Sequence, residues 1–202
     1  MRRFTGRQLV VATHNAGKLE EIAKLLESFS ITVVSAKDLG LAEPAETEDT
    51  FVGNARIKAH AAAKACGLPA LADDSGICID ALEGAPGVWT ADWAETPNGR
   101  YFVMAMTNTW GKLEAVKAGF PRRADFRCTL VLAWPDGHDE VFEGKLSGQI
   151  VWPMRGRSGH GYDPIFQPDG YDITFGQMDR WEKNKISHRA AAFRKLVAGC
   201  FT

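Results

Sequence analysis

Four cysteines in 202 residues, with no C-x-x-C pair among them, leave this chain without a disulfide framework or a zinc site. Cys66, Cys78, Cys128 and Cys200 are expected as reduced, mostly buried thiols. Long apolar runs are missing as well. Behind Arg2 and Arg3 the apolar stretch is only Leu9 to Ala12, too short for a signal peptide, and nothing later approaches a membrane span. Nor is there an excess of one charge: Lys and Arg number 24 against 25 for Asp and Glu, so no global basic field draws a nucleic-acid polymer or an anionic membrane. A polyanionic ligand must then be held by a local cluster of Lys, Arg and backbone amides. Repeats and low-complexity segments are also absent. The expectation is a soluble, cytoplasmic protein with neither a membrane nor a nucleic-acid polymer as partner.

The 45% apolar composition is enough for one good core, or one domain with a small lobe. Gln8–Thr13 reads as a strand and Gly17–Phe29 as a helix, with Leu19, Ile22, Leu26 and Phe29 on one face. Ile31–Ser35 is a second strand, and the acidic stretch Asp38–Thr50, with Pro44, is a loop. Thr50–Cys66 is an Ala-rich helix stopped by Gly67 and Pro69. Pro69–Asp73 and Gly76–Asp80 read as two strands, Glu83–Gly87 as a loop, and Arg100–Ala118 as a helix. After Pro121 the pattern turns antiparallel: Ala124–Trp134 and Glu140–Val151 are joined by the turn Pro135-Asp136-Gly137. Ser187–Val197 closes the chain as a helix with Ser187 as its N-cap.

The most informative stretch is Leu68–Gly76, an apolar run that ends in Asp73-Asp74-Ser75-Gly76. A strand finishing this way delivers two carboxylates to the carboxyl edge of an α/β sheet, where such folds bind ligands. Adjacent carboxylates need a positive partner such as Mg²⁺ or a Lys. A plain turn is the alternative, because Asp, Ser and Gly all form turns readily.

Three further segments bear on that choice. Thr13-His14-Asn15-Ala16-Gly17-Lys18 sits where the first strand meets the first helix, and helix-start amides with a Lys suit a phosphate. It is not a P-loop: Ala12 stands where the first Gly belongs and Leu19 where a Mg²⁺-binding hydroxyl belongs. Caps explain the same residues equally well. Glu46, Glu48 and Asp49 precede the Ala-rich helix that carries Lys58, either as a solvated acidic loop or as a source of metal ligands. Ser158–Phe166 flanks His160 with glycines and continues into Tyr162-Asp163-Pro164. Such a loop lets backbone approach a ligand beneath a stacked ring, or is a glycine turn with Tyr162 packed on the lobe. Lys183-Asn184-Lys185-Ile186-Ser187-His188-Arg189 opens the last helix on this reading, an odd place for cations unless they face an anion or a carbonyl-rich base.

Taken together, T-x-N-x-x-K (Thr13, Asn15, Lys18), A-D-D-S-G (Ala72–Gly76), G-x-G-Y-D-P-x-F (Gly159–Phe166) and S-H-R (Ser187–Arg189) resemble the inosine triphosphate pyrophosphatase family, the Ham1-like nucleotide hydrolases. The resemblance spans nearly the whole chain. It implies one α/β domain over 1–202, with a central mixed sheet, flanking helices and two lobes with a nucleotide cleft between them. The antiparallel strands of about 122–153 would contribute to the second lobe. It implies a homodimer and Mg²⁺-dependent hydrolysis of non-standard purine nucleoside triphosphates (ITP, dITP, XTP) to the monophosphate and pyrophosphate.

Carried over by position, Asp74 matches the catalytic carboxylate that activates water and touches the metal, Glu46 a metal-binding acid, and Asp73 its support. Thr13, His14, Asn15, Ala16, Gly17, Lys18, Lys58 and Ser75 would bind the triphosphate end. His160, Gly161, Tyr162, Asp163, Lys183, His188 and Arg189 would hold the sugar and base. Three departures stand out: His160 replaces the family's usual Phe, Gly53 a common acid, and Trp89 and Asp92 a Tyr and an Arg. Maf-type pyrophosphatases and a nucleotide sensor without chemistry are the rival readings.

Overall fold

The computed structural model describes residues 1–201. Its elements in chain order are β1 (Gln8–Val11), α1 (Ala16–Leu26), β2 (Thr32–Ser35), α2 (Phe51–Cys66) and β3 (Ala70–Ile79), then a two-residue-strand hairpin, β4 (Glu95–Thr96) with β5 (Gly99–Arg100). They continue as α3 (Phe102–Ala115), β6 (Arg123–Ala133), β7 (Asp139–Ile150), β8 (Phe166–Pro168), α4 (Arg180–Ile186) and α5 (His188–Leu196). The main sheet runs β2-β1-β3-β6-β7-β8. It is mixed, since β1 pairs in parallel with β2 and β3, whereas β7 and β8 are antiparallel. The chain forms two compact units, Met1–Asp74 with Cys128–Gly144 and Arg189–Thr202, and Ser75–Arg127 with Lys145–His188.

In the first unit the sheet is covered on both faces, as parallel strands require. Strand residues alternate faces. Leu9, Val11, Leu71, Leu130 and Leu132 therefore join Ile22 and Leu26 of α1 and Ala192, Phe193 and Leu196 of α5 in one cluster. Their neighbours Val10, Ala12, Ala70, Ala72, Val131 and Ala133 meet Ala55, Ala59, Ala62 and Ala63 of α2 in another. Alanines on both sides of that second contact let α2 lie close to the strands. Thr50 caps α2 by accepting the N–H of Gly53 at 3.1 Å, and Gly67 ends it in the left-handed conformation at φ +68°.

In the second unit Ile77 and Ile79 of β3, Ala124 and Phe126 of β6, and Ile150 of β7 pack with α3 side chains Ala105, Met106 and Leu113 and with Tyr162, Phe166 and Phe175. Asp125, by contrast, is engaged by Lys145, Ser147 and Arg127, a polar face of the kind antiparallel strands tolerate.

Two expectations change. Pro69–Asp73 and Gly76–Asp80 are not separate strands: β3 runs unbroken through Asp73-Asp74-Ser75-Gly76, so the two acids lie inside a strand and not beyond its end. The cause is side-chain pairing. Consecutive strand residues point to opposite faces, and each carboxylate finds its own partners there, so no turn is needed to expose them. The final helix stands as α5 from His188, but a separate helix, α4, precedes it and has Ser187 as its C-cap at the joint. Lys183 and Lys185 thus occupy the last turn of α4, where the helix dipole favours cations, and their apparent oddity disappears.

Candidate functional site

β3 sends Asp73 and Asp74 to different faces of the first unit. Asp74 shares the α2 face with Ala70 and Ala72. Asn54 and Lys58, one helical turn apart on α2, are both buried, and Asn54 Nδ2 donates to Asp74 Oδ2 at 3.3 Å. Lys58 Nζ pairs with the carboxylate of Glu46, which brings that member of the acidic loop to the same place. Asn54 Oδ1 accepts the N–H of Glu48 at 3.0 Å and holds the loop from a second point. Burial pushes the Asp74 carboxyl up to about 6; Lys58 and Lys18 oppose the rise, while the charges of Glu46 and Asp73 add to it. Burial would lower Lys58, but Asp73, Asp74 and Glu46 together raise it above its ordinary value.

Asp73 lies on the α1/α5 face and is 1% exposed. Its Oδ2 receives Lys18 Nζ at 3.0 Å and Arg189 Nη2 at 3.0 Å. Burial alone would raise this carboxyl, but Lys18, Arg189 and Lys58 outweigh burial and hold it far below the usual carboxylate range. Arg189 Nη1 also donates to Glu21, a buried acid one turn along α1 from Lys18. Arg189 therefore stands with the carboxylates of the first unit. Glu21 escaped the sequence reading. Its signal was present: Arg189 heads an apolar stripe through Ala192, Phe193 and Leu196, and a cation there needs a buried acid.

At the start of α1, Asn15 Oδ1 accepts the N–H of Lys18 at 3.1 Å, and Thr13 Oγ1 accepts the N–H of Asn15 at 3.2 Å. Both side chains serve the cap and fix the turn through Ala16 and Gly17. His14 reaches across to the acidic loop, with Nε2 3.2 Å from Leu41 O and Nδ1 3.6 Å from Glu43 Oε2.

The second unit carries its own group. Asp163 accepts the backbone N–H of His160 at 2.8 Å and pairs with Lys183 Nζ at 2.5 Å, with Asp163 and Lys183 both buried. Gly159 permits this approach: its φ is +77°, and a Cβ there would lie 1.9 Å from Asp163 Oδ2. His160 is exposed and Gly161 half-buried. Tyr162 is buried edge-on to Phe102 at 6.2 Å, and burial pushes its phenol up to about 12, so it belongs to the core as the packed alternative has it. His188 is buried and stacks on Phe126 at 5.0 Å. Ser75 is half-buried in β3, in the second unit's part of that strand.

Among the described residues no three His, Cys, Asp or Glu side chains are grouped to hold a metal by themselves. The oxygen donors Asp74 and Glu46, with the Asp74 carboxyl raised in part by like charge, fit a hard divalent cation that takes one or two carboxylates and completes its shell with water and phosphate. No helix among the described residues is long and apolar enough to cross a membrane.

A model of the Ham1 family matches residues 9–199. The dITP/XTP pyrophosphatase of Ruegeria pomeroyi is 70% identical over 200 residues, covering 99% of this chain and 98% of that protein. The dITP/XTP pyrophosphatase of Agrobacterium fabrum is 54% identical over 99% of each chain. Among solved structures, a HAM1 protein from Coxiella burnetii superposes with a TM-score of 0.88 at 36% identity, covering 96% of this chain and 98% of its own. With a family model spanning almost its full length and relatives matching it end to end, the chain belongs to the Ham1 family.

Proposed function

We propose that this chain is a nucleoside-triphosphate pyrophosphohydrolase that converts dITP, ITP and XTP to the monophosphate and pyrophosphate and so removes them from the nucleotide pool. The observation that carries the chemistry is the divergence of two neighbouring carboxyls: Asp73 stays ionised, whereas Asp74 sits near 6. Carboxyls driven apart by their surroundings mark an acid/base assignment. A carboxylate of that basicity suits a general base at neutral pH.

Asp74 takes a proton from water, the water oxygen forms a bond to the α-phosphorus, and the bond from that phosphorus to the bridging oxygen breaks. The electron pair leaves with pyrophosphate, whose charge falls to Lys18, Lys58 and the amides that begin α1. Positioning and charge stabilisation are the main demands of phosphoryl transfer, and these groups meet them without a covalent intermediate. Mg²⁺ is the proposed cofactor, held by Asp74 and Glu46 with Asp73 in support, and when bound it neutralises charge on the phosphate oxygens. Thr13 to Lys18, Lys58 and Ser75 are assigned to the triphosphate.

His160, Gly161, Tyr162, Asp163, Lys183, His188 and Arg189 are assigned to the nucleoside end. A donor such as His188 is satisfied by the 6-keto oxygen of hypoxanthine or xanthine and is left unpaired by the 6-amino group of adenine, a mode of rejection that discriminates strongly. A single domain acting as a cytoplasmic homodimer is the proposed working form. Phe120, 74% exposed, and Val116 on the same unit offer apolar surface for a second copy.

The test is incubation with dITP, ITP, XTP, dTTP, ATP and GTP in Mg²⁺, with product identification and an EDTA control. Monophosphate and pyrophosphate from the first three, abolished by EDTA, are the expected result. Orthophosphate release would overturn attack at the α-phosphorus.

A further inference from the structure

The acidic loop that carries Glu46 has little apolar packing to hold it. From Ala42 to Asp49 every residue except Pro44 is exposed. Leu41–Pro44 and the small side chains of Ala12, Ala36 and Ala62 line a solvent-open hollow of about 240 Å³ instead of filling it. A segment with so few buried apolar contacts opens at low cost unless polar contacts hold it.

At the far end of the loop Asn54 Oδ1 takes the N–H of Glu48 at 3.0 Å. At the near end the contact comes from His14. Leu41 donates its N–H to Ala36 O at 2.9 Å, and its own carbonyl lies 3.2 Å from His14 Nε2. A carbonyl only accepts, so Nε2 is the nitrogen that carries the hydrogen of this contact. Glu43 Oε2, at 3.6 Å from Nδ1, is beyond hydrogen-bond reach, and the carbonyl contact therefore carries the hold. His14 itself stands on a fixed base, because Thr13 Oγ1 accepts the N–H of Asn15 and Asn15 Oδ1 that of Lys18. Between Leu41 and Glu46, Pro44 locks one backbone torsion, so a position set at Leu41 is passed on through fewer free angles. Glu46 then meets Lys58.

Resting on the reading of Glu46 as a ligand of the divalent cation, we infer that His14 is a positioning residue: its ring pins the near end of the acidic loop to the β1–α1 turn and so sets where Glu46 stands before metal and nucleotide arrive. The ring is given to the loop, and only the backbone at this position belongs to the turn assigned to the triphosphate. One turn thereby aligns the phosphate amides and the metal-binding loop with each other.

The experiment compares the parent with His14→Ala, His14→Gln and Glu43→Gln in two measurements. The first is amide hydrogen exchange over residues 37–49 in nucleotide-free, metal-free protein, with β6 as the internal control. His14→Ala is expected to speed exchange of the Leu41 amide about fivefold, the worth of one neutral hydrogen bond, and to leave β6 unchanged. The second is the free Mg²⁺ concentration that gives half-maximal turnover of dITP. It is expected to rise about fivefold in His14→Ala, while KM for dITP at saturating Mg²⁺ stays within about twofold of the parent. His14→Gln, whose amide can still donate to the carbonyl, is expected to return both quantities toward the parent, and Glu43→Gln to change neither.

Unchanged loop exchange in His14→Ala would overturn the inference. So would a rise of about tenfold in KM at saturating Mg²⁺ with an unchanged Mg²⁺ dependence, the signature of a ring that touches phosphate. Exchange as fast in His14→Gln as in His14→Ala would assign the hold to the bulk of the ring and overturn it as well. Should His14→Ala fail to fold, His14→Phe takes its place, keeping the ring without the donor. Failure of the parent to release pyrophosphate would sink the functional reading, whereas the exchange measurement tests the pin without any turnover.

Discussion

Asn54 donates from Nδ2 to Asp74 at 3.3 Å while its Oδ1 holds the backbone N–H of Glu48 at 3.0 Å. One neutral side chain thus ties the proposed base to the loop that brings Glu46. Asn54→Ala breaks both contacts, and kcat for dITP is expected to fall about 10- to 100-fold, the loss usual when an orienting partner is removed. Steady-state kinetics on the folded variant checks this; a loss under twofold would show that Asp74 needs no such partner.

Asp74→Asn should abolish most turnover, by at least ~10²-fold, while nucleotide still binds. Calorimetric binding alongside the activity assay separates the two effects. Near-normal turnover would move the base elsewhere.

The same substitution carries a stability signature in metal-free buffer. A carboxyl near 6 in the folded state, against an ordinary value of 3.8, binds its proton more tightly folded than unfolded. Its contribution is complete below about pH 4 and is lost as pH rises through 6, leaving the native state weakened at higher pH by roughly 3 kcal/mol for a displacement of this size. Asp74→Asn removes that penalty. In EDTA the variant should therefore melt above the parent at pH 8, with the gain vanishing near pH 4. A gain of equal size at both pH values would argue that packing, and not charge, is responsible.

The Asp163–Lys183 pair is buried on both sides. Lys183→Ala strands a carboxylate and should cost about 3 kcal/mol in chemical denaturation, since breaking one half of a buried pair is far worse than lacking the pair. Lys183→Ala combined with Asp163→Asn should recover part of the loss, and a double variant weaker than the sum of the two singles would contradict this account.

His160 is exposed, and its backbone N–H is anchored to the buried Asp163. His160→Phe should tighten KM for dITP and flatten its dependence on pH, because Phe carries no titratable ring. An unchanged KM with an unchanged profile would count against stacking by His160.

Local signals were legible in the sequence. Thr50 and Gly67 bracket α2, the spacing of Ile22 and Leu26 marks the buried side of α1, and the turn at Pro135-Asp136-Gly137 places the β6–β7 hairpin. What escaped depends on distant partners. Asp73-Asp74-Ser75-Gly76 has the composition of a turn, and the neighbours that accommodate its acids inside a strand, β1 and β6 on either side with Lys18, Arg189 and Asn54, are all remote in sequence. Helix α4 was missed because its seven residues, Arg180–Ile186, are too few to show a helical period. The short β8 pairs with β7 through Gly148–Pro168, Gln149–Gln167 and Ile150–Phe166, contacts that no local pattern announces. Glu21 looked like one more surface acid of an amphipathic helix until Arg189 supplied its reason to be buried.

Arg189 follows Glu21 by 168 residues and Asp73 by 116. During synthesis both acids emerge long before the cation that accompanies them, and pairings so distant in sequence form late. Glu21 and Asp73 lack their shared guanidinium until Arg189 has been added and α5 has docked, so the two acids enter the core as a compensated group only after that docking.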